Sequence, residues 1–309
     1  MSKNPLVLAL DFGTQSVRTS LVNKKGEIVA LIKKPYEQPY FSKEKGYAEQ
    51  DPYLYWNYAV ECLQKLTKEN QEILKDIIGA TITTFRDSSV QLDKDNKPLR
   101  PCILWLDQRM ADAKERLPLF SRFAFSLVGM KNTVELNRRR TVAHWLKENE
   151  ISTWNKTKKY VNISTFLTYL FTGSLMDSVS NCTGHYPVNF KKRTWYHDRA
   201  LKGSIFGIPS RMLCTIKQPG EILGIIKDDV AELCGLPKGI ILYATGSDKA
   251  CETIGLGALD KHTAAISYGT ACSIEISNQK YHEPERFLPS YPAAVPGWYN
   301  MAVQIYRGY

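Results

Sequence analysis

No run of eighteen apolar residues occurs anywhere in the 309 residues, and Met1 to Leu10 carries a single Lys with no small-residue cleavage pattern. Neither a membrane span nor a signal peptide is expected. The seven cysteines, at 62, 102, 182, 214, 234, 251 and 272, are odd in number and never spaced C-x-x-C, which argues against a disulfide framework or a structural zinc site and for a reducing cytoplasm. Internal repeats and low-complexity tracts are also missing. With 43% hydrophobic and 23% charged residues, a disordered or collagen-like chain is excluded. What is present is length enough for two domains and a net charge of +10, from 41 Lys and Arg against 31 Asp and Glu. Such an excess suits nucleic acid, a membrane surface or anionic small substrates. The basic runs Arg138 to Arg140 and Lys191 to Arg193 lack the interleaved aromatics of a single-strand surface, so they read as solvated faces and no nucleic-acid partner is expected.

Hydrophobic periodicity predicts an opening meander: strands over Leu6 to Phe12, Val17 to Val22 and Glu27 to Ile32, with a turn at Lys24-Lys25-Gly26. Asp51 caps a helix whose apolar stripe comprises Leu54, Tyr58, Cys62 and Leu66 beside Tyr55, Ala59 and Leu63. Further strands are expected over Ile77 to Thr84, Ser89 to Leu92 and Cys102 to Trp105, and helices over Asp107 to Arg116, Thr133 to Asn149 and Ser164 to Phe171. Asp177 to Asp198 reads as an irregular excursion. Strands over Glu221 to Ile226 and Ile240 to Thr245 alternate with helices over Asp229 to Cys234 and Ser247 to Ile254. His262 to Tyr268 and Ala271 to Ser277 then pair around Gly269-Thr270, echoing the opening hairpin. The class is α/β, with a second domain beginning like the first.

Three constellations carry chemistry. Asp11-Phe12-Gly13-Thr14-Gln15-Ser16-Val17-Arg18 sits where one strand turns into the next; its amides and the Thr14 and Ser16 hydroxyls suit phosphate oxygens, Asp11 a hydrated Mg²⁺, and Arg18 transferring charge. An ordinary β-turn with a surface Arg reads equally well. Gly246-Ser247-Asp248-Lys249 puts a carboxylate in the first turn of a helix, either as a plain helix-dipole partner or as a general base. Tyr268-Gly269-Thr270-Ala271 is a second hairpin of donors. Jointly they describe phosphate clamps contributed by two lobes with an acid between.

At these residues the chain resembles the FGGY family of carbohydrate kinases. Besides the three motifs, Gly46-Tyr47-Ala48-Glu49-Gln50-Asp51-Pro52 with Trp56, the stretch Thr84 to Asp87, and Trp105-Leu106-Asp107-Gln108-Arg109 fall in the family's order. The resemblance implies a ribonuclease-H-like (actin-like ATPase) α/β fold, a mixed sheet flanked by helices, with a sugar-binding domain over 1–257 and a truncated nucleotide-binding domain over 258–309. It implies ATP and Mg²⁺ as cofactors and a small sugar or polyol as substrate, phosphorylated on a hydroxyl. Asp248 matches the general base; Gly13, Thr14, Gln15 and Arg18 the first phosphate clamp; Gly269 and Thr270 the second; Asp11 the metal-associated acid. Arg86 and Asp87 match residues that hydrogen-bond substrate hydroxyls, and Trp105 an aromatic lining the carbon skeleton. On their own, Arg86 and Asp87 read equally as a surface pair, and Trp105 as core.

Two departures argue against glycerol as substrate: Lys249 stands where glycerol kinases have Gln, and Asn137 where they have a pocket Tyr. His185, in an irregular loop, reads as structural or solvent-facing, or as a polyol contact. Since family members continue well past this length, inactivity, open sheet edges and unburied apolar residues over Phe287 to Tyr309 are expected, with a homodimer as one way to cover them. The alternatives are a sugar-binding fragment without catalysis and a non-catalytic actin-like module.

Overall fold

The computed structural model describes residues 4–260, 262–268, 272–285 and 288–305. A six-stranded mixed sheet runs in the order Ile222–Ile225, Ile241–Tyr243, Ile77–Thr84, Leu6–Phe12, Ser16–Asn23, Ile28–Pro35. The central strand Leu6–Phe12 is parallel to Ile77–Thr84 and antiparallel to Ser16–Asn23. Strict alternation buries Leu6, Leu8, Leu10 and Phe12 on one face and leaves Val7, Ala9 and Asp11 half-buried on the other.

The apolar face is covered by helix Pro52–Glu69, which contributes Tyr55, Ala59, Cys62, Leu63 and Leu66. Its start is set by Asp51, whose carboxylate accepts the Tyr53 N–H at 2.9 Å, followed by Pro52 in the first turn. Helix Ile163–Thr172 packs against Ile77–Thr84 and ends at Gly173, left-handed at φ 78°. Each large side chain fully buried here stabilises the fold by about 1.5–3 kcal/mol.

A small sheet orders Glu49–Gln50, Cys102–Ile103, Ser89–Leu92 and Lys159–Asn162. Another orders Ala264–Tyr268, Cys272–Asn278, Tyr299–Ile305 and Tyr291–Pro292, and leaves Ile266, Ile274 and Val303 exposed on one face. Helix Asp248–Gly255 touches both this sheet and the strand Ile77–Thr84.

Two helix expectations fail for physical reasons. Asp107 to Arg116 is not helical, because its backbone donors are taken by tertiary partners: Arg109 N–H by Asp107 itself, Ala111 N–H by the Arg139 carbonyl, and the Asp112 and Lys114 N–H groups by the Glu148 carboxylate. Thr133 to Asn149 is two helices, Lys131–Arg140 and Val142–Asn149, broken where Thr141 turns extended at ψ 118° and its hydroxyl donates to the Asn137 carbonyl. The basic run is not a solvated face throughout. Arg138 is buried, donating to the Glu115 carbonyl and pairing with Glu135, and Arg139 donates to the Ala111 carbonyl.

Candidate active site

The site forms where the half-buried face of the central sheet meets the start of helix Asp248–Gly255. Register places Asp11 opposite Thr83 on the parallel neighbour, and alternation points both to that face. The Thr83 hydroxyl lies 3.3 Å from the Cys251 Sγ, which is also 3.3 Å from the Gly246 carbonyl. Burial pushes the Cys251 thiol up; the Thr83 and Gly246 contacts oppose this, and the carboxylates of Asp248 and Asp11 add to it. Cys251, on the helix that Asp248 opens, thus rests against the threonine that stands opposite Asp11.

Asp248 opens its helix, with Oδ1 accepting only the adjacent Lys249 N–H, at 2.8 Å, among the described residues. Burial raises its carboxyl above the ordinary range, and the Arg86 guanidinium is the main opposing charge. The chain can approach closely here because of Gly246, where a Cβ would stand 2.8 Å from the Ser180 Oγ. Ser180 belongs to the segment after Asp177, a fully buried carboxylate that accepts hydrogen bonds from the Ser164 and Thr165 hydroxyls, the Ser178 N–H and the Asn181 amide. The excursion read as irregular is thus locked against helix Ile163–Thr172 at its start.

The first hairpin is tighter than a free phosphate cradle. Gly13 N–H already donates to the Ser16 carbonyl at 3.0 Å, and Ser16 is buried. Thr14 stands at the rim, its hydroxyl accepting the Trp105 Nε1–H at 3.0 Å, and Gln15 is exposed beside it. Trp105 itself is about half exposed, at 48%, so it is not core. Arg18, directly across from Asp11, donates to Asp11 Oδ2 at 2.7 Å and leaves Oδ1 without a hydrogen bond among the described residues. Gly269 and Thr270 lie outside the described residues.

Arg86 and Asp87 do not pair with each other. Asp87, left-handed at φ 54°, accepts both the His185 N–H at 2.9 Å and the His185 Nδ1–H at 2.6 Å. Burial alone would raise the carboxyl, but His185 more than offsets it and holds Asp87 below the ordinary range; reciprocally, burial would lower the imidazole and Asp87 raises it. Gly184 makes room: at φ 103° a Cβ there would lie 2.4 Å from the Asp87 Cγ. Both partners keep roughly a quarter of their side-chain surface open. The Arg86 guanidinium stacks 5.9 Å over the Tyr291 ring and makes no hydrogen bond or ion pair among the described residues.

Arg86 opens a crevice lined also by Ser180, Thr183, Ser247, Glu275 and Asn300. Sequence reasoning missed Glu275, whose signal is an inverted alternation: strand Cys272–Asn278 buries Ser273, Glu275 and Ser277 and exposes Ile274. A wider cavity of about 340 Å³ lies elsewhere, between Trp154, Asn155, Lys158 and Arg211, with no carboxylate on its walls.

A mixed parallel sheet with acids gathered at its strand ends and at the start of the following helix is the arrangement of the actin-like ATPase fold. The sequence pattern of the FGGY family of carbohydrate kinases, N-terminal domain, matches residues 6–255, and the chain belongs to that family. It is 27% identical to a xylulose kinase of Lactococcus lactis over 98% of its own length and 59% of the relative's. It is 28% identical to a xylulose kinase of Bacillus subtilis over 86% and 52%. The crystal structure of xylulose kinase from Rhodospirillum rubrum superposes with a TM-score of 0.81 at 20% identity, over 97% of this chain and 61% of that one, which shows the shared fold. The chain thus spans little more than half the length of the curated relatives it matches.

Proposed function

We propose that the chain supplies the sugar-binding part and the catalytic base of an ATP-dependent carbohydrate kinase. Residues 1–257 are taken as the sugar-binding domain and 258–309 as the beginning of the nucleotide lobe. The observation that carries the reading is Asp248: a half-buried carboxylate at a helix start, raised by burial and facing the Arg86 charge, whose Oδ2 makes no hydrogen bond among the described residues. In this reading a substrate hydroxyl gives its proton to Asp248 as its oxygen forms a bond to the γ-phosphorus of ATP, and the bond from that phosphorus to the bridging oxygen breaks to release ADP.

Gly13, Thr14, Gln15 and Arg18 are assigned to nucleotide phosphates, together with Gly269 and Thr270. Arg86, Asp87 and Trp105 are assigned to the sugar, Asp87 acting through His185, which it orients. The residues fit Mg²⁺: a nucleotide-bound Mg²⁺ keeps several waters and takes one or two protein carboxylates, and Asp11 offers a free Oδ1. Bound there, the ion would neutralise phosphate charge.

The two relatives compared above are xylulose kinases, so a pentulose is the first substrate to try. In a protein that carries the whole nucleotide lobe and turns over, Asp248→Asn should lower MgATP-dependent phosphorylation by about 10²–10⁴-fold, while calorimetry shows sugar binding retained. Turnover equal to wild type in the variant would defeat the assignment.

A further inference from the structure

Helix Leu119–Leu127 is apolar on two opposite sides. One side packs inward: Ser121 and Phe125 are buried, and Phe125 joins Leu117, Val134 and Ile205 in a small core of its own. The other carries Leu119, Phe120, Phe123 and Leu127, which share one stripe at helical spacing and are 81%, 77%, 66% and 76% exposed. Single apolar residues on a surface are ordinary, but a contiguous stripe of large ones marks a surface that meets something. With so much of each side chain open, the stripe stands clear of its surroundings rather than lining a groove.

The charges around the stripe select what covers it. The helix holds no acidic residue, and Arg122 flanks the stripe. The acids nearest in the chain are already engaged: Asp112 with Lys114 at 3.5 Å, Glu115 with Lys147 at 2.8 Å and Glu135 with Arg138 at 3.3 Å. Arg116, Arg122 and Lys131 are exposed and make no ion pair among the described residues. A second copy fits poorly, since a two-fold axis through the middle of the stripe, at Phe123, would set Arg122 against its own copy. An anionic lipid surface satisfies both features: acyl chains accept the Phe and Leu side chains without needing hydrogen bonds, and head-group phosphates accept the cations. At nine residues the helix can lie in the interface but not cross it.

We propose that helix Leu119–Leu127 docks the protein on anionic lipid membranes, with Leu119, Phe120, Phe123 and Leu127 entering the head-group layer and Arg116, Arg122 and Lys131 meeting lipid phosphates. None of these residues is assigned to the candidate active site, so the attachment leaves that site's side chains untouched.

Co-sedimentation of the 309-residue chain with vesicles of phosphatidylcholine alone, and of phosphatidylcholine and phosphatidylglycerol in equal parts, tests it. Wild type should pellet with the anionic vesicles far more than with the neutral ones, and added salt should release part of it by screening the head groups. Phe120→Ser combined with Phe123→Ser should weaken binding by at least about a hundredfold, the loss of two buried rings. Serine suits a helix about as well as phenylalanine, so the circular dichroism spectrum and Tm of this variant should match wild type. Arg116→Gln combined with Arg122→Gln should weaken binding to the anionic vesicles by about thirtyfold, two charges' worth. Wild type that stays in the supernatant, or pellets equally with both kinds of vesicle, would overturn the proposal, as would a doubly serine-substituted variant that pellets like wild type. A wild-type dimer in sedimentation velocity that the serine pair dissociates, with no vesicle binding, would overturn it in favour of a second copy.

Discussion

Gly184→Ala puts the pair that faces the proposed sugar pocket under direct strain. A residue with a side chain at φ 103° costs about 1–3 kcal/mol of backbone strain. The new Cβ would also lie 2.4 Å from the Asp87 Cγ, too close for any contact, so Asp87 must withdraw from one or both of its hydrogen bonds to His185. Partial solvent access discounts the ion pair to about 1 kcal/mol, giving a loss of about 2–4 kcal/mol and a fall in Tm of roughly 4–16 °C. The pH dependence separates strain from charge. Asp87 is held below its ordinary 3.8 and His185 above its ordinary 6.5. A depressed acid contributes stability that is present above its unfolded value and lost as pH falls through the folded one. A raised base contributes stability that is present below its unfolded value and lost as pH rises through the folded one. The contribution of the pair is therefore full between those two ordinary values and fades on either side. Thermal unfolding followed by circular dichroism should show the gap between wild type and Gly184→Ala widest near about pH 5.5 and narrowing as pH rises through the folded value of His185, down to the strain and the hydrogen bond from the His185 N–H, which does not titrate. A gap of constant size across that range, or a variant as stable as wild type, would refute the reasoning.

Two further outcomes follow from buried polar groups. Arg109 is held by Asp107 at 2.7 Å and Glu49 at 2.8 Å and lies 3.8 Å over Tyr47 and 4.6 Å over Trp145, so Arg109→Ala leaves two buried carboxylates short of a partner. It should cost about 3–5 kcal/mol in urea unfolding, and a loss below 1 kcal/mol would contradict the geometry. Asp177 accepts from four donors, so Asp177→Asn sets an amide donor against them; about 1–3 kcal/mol should be lost, with protease sensitivity rising in the segment around Ser180. An unchanged proteolysis pattern would show that Asp177 does not anchor that segment.

Much of the fold was legible because period and burial agree. Leu6, Leu8, Leu10 and Phe12 alternate, and the stripe on Pro52–Glu69 recurs at helical spacing, so strand and helix follow from side-chain geometry alone. Asp248 was legible for a similar reason, standing just past a buried strand at a helix start. The failures share a cause in partners far away in sequence. Helical composition over Asp107 to Arg116 lost to backbone donors claimed by Glu148 and Arg139, and Thr141 broke a helix through its own hydroxyl. Asp87 and His185 meet across a separation of 98 residues, which no local pattern encodes, although the glycine next to the histidine was on view. In strand Cys272–Asn278 the alternation gave the strand correctly, but polarity alone would point Glu275 to water; only the packing of the Asp248 helix against that face turns it inward.

That packing has a mechanical consequence for the candidate base. Helix Asp248–Gly255 is tied to the six-stranded sheet through Cys251 and Thr83, and to the second sheet through Thr253 to Glu275 and Lys249 to Ser267 at 3.0 Å. Asp248 is the first residue of this helix, whose contacts at Lys249, Cys251 and Thr253 run along its length. A displacement of one sheet against the other must either carry this helix along or break hydrogen bonds that are largely shielded from water, and it also parts Arg86 from the Tyr291 ring and Ser180 from the Pro292 carbonyl. Shielded bonds to a charged acceptor are the costlier ones to break, about 1.5–3 kcal/mol each. The bond between Thr253 and Glu275 is of that kind, whereas Thr83 to Cys251 is a weak sulfur contact. The helix, and the carboxylate it presents, is therefore bound more firmly to the second sheet than to the first.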